Sequence, residues 1–101
     1  MVIHAGLFFL ALKAHRGAAT PLDPETLLLK RLAGAIVAGA LDKLPARSRT
    51  LLLRRELEGL TYQQLSDAMG IPKGTVMSRL SRAREAFRRA ARDLQHNAGL
   101  E

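Results

Sequence analysis

The stretch from Thr61 to Ala90, TYQQLSDAMGIPKGTVMSRLSRAREAFRRA, decides the fold of this chain. It opens with a threonine followed three residues later by Gln64, the capping-box pattern that starts a helix. Gly70 then ends a short helix, because glycine adopts the left-handed conformation at helix ends without steric cost. A second segment with helical periodicity begins at Lys73. The stretch therefore predicts two helices joined by a tight turn at 70–72.

The second helix of this pair is predicted to be amphipathic. Its apolar residues recur at three- and four-residue spacing up to a predicted end near Leu94, so they form one stripe: Val76, Leu80, Ala83, Phe87, Ala90 and Leu94. At about 100° per residue, Ser78 and Arg82 fall near the opposite side, and Arg79 falls nearer the edge of the stripe. A helix-turn-helix places such an outer face in the major groove of DNA. The pattern therefore favours DNA binding.

Candidate base contacts lie in the first turns of this helix. Arginine can bind guanine through O6 and N7 together, and serine can donate to or accept from several bases. These properties select Ser78, Ser81 and Arg82, and they select Arg79 less strongly because of its phase. Met77 is a further candidate as an apolar contact in the groove. The alternative for Met77, a position at the rim of the core, is the one we favour from sequence.

Candidate phosphate contacts flank this outer face. The N-terminal amides and the positive dipole end of the preceding helix suit a backbone phosphate. Lys73 and Thr75 stand at the entry of the second helix. The predicted phosphate contacts are Thr61, Tyr62, Gln63, Lys73, Thr75, Arg47 and Arg49. For Tyr62 an alternative stays open, namely packing of the ring against the bundle.

The charge supports an anionic partner because of where it lies. The chain has 101 residues and a formal charge of +7, from 16 Lys+Arg and 9 Asp+Glu. Residues 73–92 contain seven basic residues and a single acid, Glu85, so nearly the whole excess lies within this segment. A localised basic strip is typical of proteins that bind polyanions, because neutralising phosphates releases condensed counterions. Solvated basic helix faces are also common, so the charge alone leaves both interpretations open.

The composition excludes several kinds of site. The chain has no cysteine, so disulfides, thiol catalysis and cysteine-based zinc sites are absent. The three histidines, His4, His15 and His96, have no partners at metal-ligand spacing. No catalytic Ser-His-Asp set, carboxylate pair or glycine-rich phosphate loop is recognisable. We therefore predict a non-enzymatic protein with no cofactor and no metal.

Two further helices are predicted before the pair. The first begins at Asp23-Pro24-Glu25 and runs to about Lys43, since Asp is a favoured cap and proline suits the first helical position. Its predicted inner residues are Leu28, Leu29, Leu32, Ile36, Ala40, Leu41 and Leu44, and its two glycines, Gly34 and Gly39, allow close approach of a neighbouring helix. The second runs from about Ala46 to Glu58 with Leu52, Leu53 and Leu57 inward. Gly59 is its predicted left-handed terminator.

The N-terminal apolar run from Met1 to Leu12 is too short to span a bilayer, which takes about 20 residues. Basic residues follow this run, whereas a secretory signal carries them before it. We expect a short helix or arm here, with an interaction segment as the alternative, and no membrane partner. The predicted organisation is an arm and linker over 1–20, one domain over 21–95 and a frayed tail over 96–101.

Leu41 to Ala90 also carries a family resemblance. The order and spacing of LPAR, RELEGLTYQQL, GIPKGTV and SRLSRARE resemble region 4 of the sigma-70 family, in its extracytoplasmic-function (ECF) branch. The resemblance implies an all-α fold, a small four-helix bundle ending in a helix-turn-helix and related to the winged-helix DNA-binding superfamily without a wing. It implies recognition of the promoter −35 element and docking on the β-flap of RNA polymerase during transcription initiation. It further implies a bacterial cytoplasmic, nucleoid-associated protein whose surface an anti-sigma factor can occlude.

The resemblance also bears on single positions and on the extent of the chain. Met77, Ser78, Ser81 and Arg82 align with family positions that touch the promoter, although many relatives carry Lys or Arg at position 77. Pro72 stands where many relatives have a capping serine. Region 2 of sigma factors has no counterpart in residues 1–20, so the chain is either part of a longer factor or a stand-alone protein. The alternatives are a module that binds polymerase or an anti-sigma factor without reading DNA, and an unrelated dimeric helix-turn-helix regulator.

Overall fold

The computed structural model describes residues 23–99, which form four helices. These are α1 (Pro24–Asp42), α2 (Ala46–Glu56), α3 (Tyr62–Met69) and α4 (Lys73–Asn97). Helix α4 packs against each of the other three, and α2 also packs against α3. The predicted all-α bundle is thus confirmed, with no strand in the described range. The arm predicted over 1–20 lies outside the described residues.

One apolar core orients α4. Its predicted stripe is buried from Val76 through Ala90, and Ala91 joins it. Facing this stripe are buried residues from each of the other helices: Ile36, Val37, Ala40, Leu41, Leu51, Leu52 and Leu65. Because the stripe is fixed by contacts with all three neighbours, the outer face of α4 is fixed as well. None of the described helices combines the length and apolar character needed to cross a bilayer.

Local capping sets the ends of α1. The Asp23 carboxylate accepts a hydrogen bond from the Thr26 amide at 2.6 Å, and this bond lowers the pKa of Asp23. At the other end, Arg49 of α2 donates to the carbonyls of Leu41 at 3.1 Å and Leu44 at 3.2 Å. Carbonyls at a helix end lack intrahelical partners, so Arg49 satisfies them and fixes the turn between α1 and α2.

Two leucines correct the predicted inner face of α1. Leu28 is 66% exposed and Leu29 is 58% exposed. Helix α4 ends three residues after Leu94, whose side chain lies close to Gly39. Leu28 lies about 16 Å from Gly39 along α1, at 1.5 Å per residue. The helical spacing was correct, but no described helix covers the first turns of α1.

The buried face of α2 also differs from the prediction. Leu52 is buried as expected, but its buried partner is Leu51, whereas Leu53 and Leu57 are only partly buried. Leu51 is buried because α2 packs against both α3 and α4. A stripe drawn from one helix alone could not show that two neighbours widen its buried face.

The last helix extends beyond its predicted end. It continues to Asn97, and Gln95 is only 1% exposed. The helix was predicted to end near Leu94, and it continues three residues further, into the segment over 96–101 that was expected to fray. Packing of the bundle buries the polar Gln95, which hydropathy alone does not indicate.

Candidate nucleic-acid interface

Helices α3 and α4 form the predicted helix-turn-helix. Thr61 and Gln64 make both hydrogen bonds of the capping box, with the Gln64 amide donating to Thr61 Oγ1 at 3.0 Å and the Thr61 amide donating to Gln64 Oε1 at 2.8 Å. Gly70 ends α3 with φ of 67°, and the Ser66 hydroxyl donates to the Ile71 carbonyl across the turn. No side chain caps the start of α4 at Pro72, as the sequence suggested.

The five predicted base contacts are all exposed on the first turns of α4: Met77, Ser78, Arg79, Ser81 and Arg82. The Ser78 hydroxyl donates to the Thr75 carbonyl at 3.1 Å, and its exposed oxygen can still accept a hydrogen bond. Met77 is 51% exposed and is not among the residues packed against the core. The rim position favoured for Met77 from sequence is therefore wrong.

Arg84 forms an ion pair within the bundle. Its Nε and Nη2 atoms donate to Glu56 Oε1 at 3.2 and 3.0 Å, and the two side chains are 29% and 23% exposed. Burial lowers the pKa of Arg84, but hydrogen bonds to Tyr62 and Glu56 outweigh this effect and raise the pKa. The ion pair ties α4 to the end of α2, 28 residues away in sequence.

Four other arginines border a depression between α2, α3 and α4, which we call the arginine groove: Arg47, Arg54, Arg79 and Arg82. Leu51 and Met69 contribute apolar surface to it, and no acidic residue lines it. Within the described part of the chain, none of these four arginines has a hydrogen bond or an ion pair through its side chain. Like charges around one groove repel each other, and an anion placed there would relieve this repulsion.

Arginines elsewhere in the described residues mostly have partners. Arg55 donates to the Leu60 carbonyl at 2.8 Å and lies 4.7 Å from the centroid of the Tyr62 ring. Arg88 and Arg92 pair with Glu85 at 3.7 and 3.6 Å. Because Arg88 and Arg92 share one carboxylate, their cluster keeps part of its positive charge, whereas the four arginines of the arginine groove keep all of theirs.

The predicted phosphate contacts lie in several environments. Thr61 and Gln63 are exposed at the start of α3, although Gln63 Nε2 donates to Asp67 at 3.0 Å. Lys73 is exposed and Thr75 is half-buried at the start of α4. Two of the predicted contacts, Tyr62 and Arg49, are held by the fold, since Tyr62 packs against the core and the Arg49 guanidinium is bonded to the carbonyls at the end of α1.

The comparisons with known proteins identify the family. Residues 35–87, from the middle of α1 to the buried Phe87 of α4, match the family model described as Sigma-70, region 4. The chain belongs to the sigma-70 region 4 family. Its matched segment contains α3, the turn, α4 as far as Phe87 and the arginine groove.

Individual relatives confirm the ECF branch for this region 4 domain. The RNA polymerase sigma-H factor of Pseudomonas aeruginosa is 41% identical over 76 residues, which cover 75% of this chain and 39% of that protein. The ECF RNA polymerase sigma-E factors of Escherichia coli K12 and Salmonella typhimurium LT2 are each 42% identical over 65 residues, covering 64% of this chain and 34% of each relative. The chain thus spans little more than a third of the length of these relatives.

Sequence reasoning missed Arg54 as a candidate contact of this region 4 domain. Arg47 and Arg54 are seven residues apart, which is two helical turns, so both lie on one face of α2. That spacing was a usable signal. The position of this face opposite Arg79 was not, because it depends on how α2 and α4 cross.

Proposed function

We propose that this region 4 domain binds promoter DNA and reads the −35 element with the outer face of α4. The observation that carries the proposal is the contrast among the arginines, since Arg84, Arg88 and Arg92 are paired whereas the arginine groove holds four without a partner. Arginines that protein groups do not neutralise are suited to phosphates and guanine edges. Membership of the sigma-70 region 4 family supports promoter DNA as the duplex.

In this proposal, exposed residues in the first turns of α4 contact the bases. Ser78, Ser81 and Arg82 lie within its first ten residues, the part of a helix-turn-helix that meets base edges. Arg82 is the main candidate for a guanine because its guanidinium can donate two parallel hydrogen bonds to O6 and N7. Met77 is the apolar member of this group.

Backbone contacts would anchor the duplex on both sides of α4. On one side, Arg47, Arg54 and Arg79 line a part of the arginine groove that Arg82 does not line, so we propose phosphate contacts for Arg79. On the other side, the start of α3 offers exposed Thr61 and Gln63 and the positive end of a helix dipole. Lys73 and Thr75 at the start of α4 would complete the set, with Tyr62 and Arg49 supporting it from within the fold.

We further propose RNA polymerase as the protein partner, with docking on its β-flap. The names of the related sigma-H and sigma-E factors support this partner, as does the match to region 4. An anti-sigma factor that covers the same surface is a further proposed partner. A promoter-binding domain of this family would act in the bacterial cytoplasm at the nucleoid, without enzymatic activity of its own.

Substitution of Arg82 tests the base-reading role. A duplex is first selected from a random library by the purified chain, and binding to it is compared with binding to a scrambled duplex of equal length. Arg82→Ala should weaken binding to the selected duplex by about 1–3 kcal/mol and should affect the scrambled duplex much less. The matched control is Arg89→Ala, because Arg89 is exposed on the same helix two turns further towards its C-terminal end. Equal losses on both duplexes would show that Arg82 contacts phosphate only.

A second candidate function keeps the family but omits DNA reading. Leu28 and Leu29 are exposed next to each other on α1, and exposed apolar surface can mark a protein contact. In this case the domain would bind polymerase or an anti-sigma factor alone. Capture of RNA polymerase by the chain, together with no shift of any duplex at low salt, would select this function. Loss of capture in a Leu28→Gln, Leu29→Gln variant would place the contact on α1.

A further inference from the structure

Met77 differs from every other exposed residue on the first turns of α4. It is 51% exposed, and it is the only large hydrophobic residue of the described helix-turn-helix that is exposed to this degree. Its side chain is not part of the core cluster, although Val76 directly before it and Leu80 three residues after it are fully buried. Stability of the fold therefore does not account for an apolar side chain at this position.

Towards the C-terminal end of α4 the neighbours of Met77 are neutral, whereas Lys73 lies one turn before it. Ser78 follows it in sequence, and Ser81 is its neighbour one turn along the same face. The arginine groove does not include Met77, and its lining residues lie towards the flank of α4 that carries Arg79. A phosphate near this position would pair with the ammonium of Lys73, and the uncharged thioether of Met77 suits a group without charge.

The major groove offers one group of this kind. Among the bases, only thymine presents a methyl group at the edge of the major groove, at its C5 position. Methionine is unbranched, has three rotatable bonds and carries a polarisable sulfur, so it can adapt to a methyl group on an irregular surface. Contact between the two would bury apolar surface on both sides.

We infer that Met77 is a specificity residue that recognises the 5-methyl group of a thymine in the bound duplex. The inference rests on the proposed function, because it needs α4 to enter the major groove. It deepens that function by assigning a base to one position. Ser78, Ser81 and Arg82 would then read neighbouring bases by hydrogen bonds, while Met77 favours thymine over bases without the methyl group at its own position.

Replacement of thymine by deoxyuridine tests this inference, since it removes the methyl group and leaves all hydrogen-bonding atoms in place. The full chain is used with the duplex that it selects from a random library, and each thymine is replaced singly. For the unsubstituted protein, one replacement should weaken binding about fourfold, the effect of burying one methyl-sized group. For Met77→Gln, which has a similar length but a polar end, the same replacement should have no effect.

Met77→Leu serves as the matched control, because it keeps an apolar side chain and should retain part of the preference for thymine. Since position 77 is exposed, thermal unfolding of all three proteins should coincide within error. If no uracil replacement weakens binding, or if the same replacement weakens binding equally in Met77→Gln, the inference about Met77 is wrong while the proposed DNA binding stands. If the chain selects no sequence at all, both are overturned.

Discussion

Gln95 lies on α4 directly after Leu94, where its side-chain Nε2 is buried and has no hydrogen-bond partner in the described structure. A buried donor without an acceptor costs about 1–3 kcal/mol, because it gives up its hydrogen bonds to water. Gln95→Met keeps the length of the side chain and removes both polar atoms. We expect the free energy of unfolding of the variant to rise by about 1–3 kcal/mol.

Urea denaturation followed by circular dichroism measures this change. Gln95→Glu is the matched control, and it should be less stable than the parent at neutral pH because a charge would be buried at the same place. A lower stability of Gln95→Met than of the parent would mean that Nε2 has an acceptor after all.

The arginines show that residue type alone predicts DNA contacts only in part. Sequence reasoning selected Arg47, Arg79 and Arg82 for DNA, and the structure places all three around the arginine groove. It also selected Arg49, whose guanidinium is bonded to the carbonyls of α1. Arg47 and Arg49 both lie in the first turn of α2, so the difference between these two arginines depends on what lies opposite each of them.

At the scale of the element, α1 contains a natural pair of test positions. A Cβ added at Gly39 would lie 2.9 Å from Leu94 Cδ1, whereas one added at Gly34 would meet nothing within 4 Å. The predicted close approach is therefore confirmed at Gly39 and wrong at Gly34. Both glycines are inside the same helix, so their helical propensities are comparable.

We expect Gly34→Ala to stabilise the protein by about 0.5–1 kcal/mol, the usual gain from alanine inside a helix. Gly39→Ala should be less stable than Gly34→Ala by about 1 kcal/mol or more, because Leu94 must move away from the new methyl group. Thermal and urea unfolding of the two variants measure the difference. Equal stabilities would mean that Leu94 turns aside without cost.

The buried stripe of α4 and the end of α4 differ in how far the sequence predicts them. The buried stripe was predictable, because the three- and four-residue spacing of Val76, Leu80 and Phe87 is a local property of the sequence. The same holds for the ends of α3, where the capping box and Gly70 act within a few residues. The end of α4 was not predictable, since Gln95 is buried by other helices and not by its own hydropathy.

At the scale of the whole molecule, the salt dependence of DNA binding measures how many phosphates the protein contacts. Each phosphate contact contributes about 0.9 to the slope of log K against log salt concentration. The double variant Arg47→Gln, Arg54→Gln removes two charges of the arginine groove. On a random duplex we expect the magnitude of the slope to fall by about two.

The matched control is Arg88→Gln, Arg92→Gln, which lowers the net charge by the same amount but removes arginines paired with Glu85. Its slope should stay close to that of the parent. Binding isotherms at several salt concentrations measure both. An equal fall in the two double variants would show that net charge, and not the arginine groove, sets the affinity.

The sequence by itself determined the four helices, the turn of the helix-turn-helix, the buried stripe of α4 and the family. Each of these depends on interactions within about four residues or on the order of short motifs. Only the tertiary structure decided which arginines are neutralised, which leucines stay exposed and which glycine lies against a neighbour. Arg84 and Glu56 are 28 residues apart, and Gly39 and Leu94 belong to different helices. The packing of the helices sets these distances, and no local pattern encodes them.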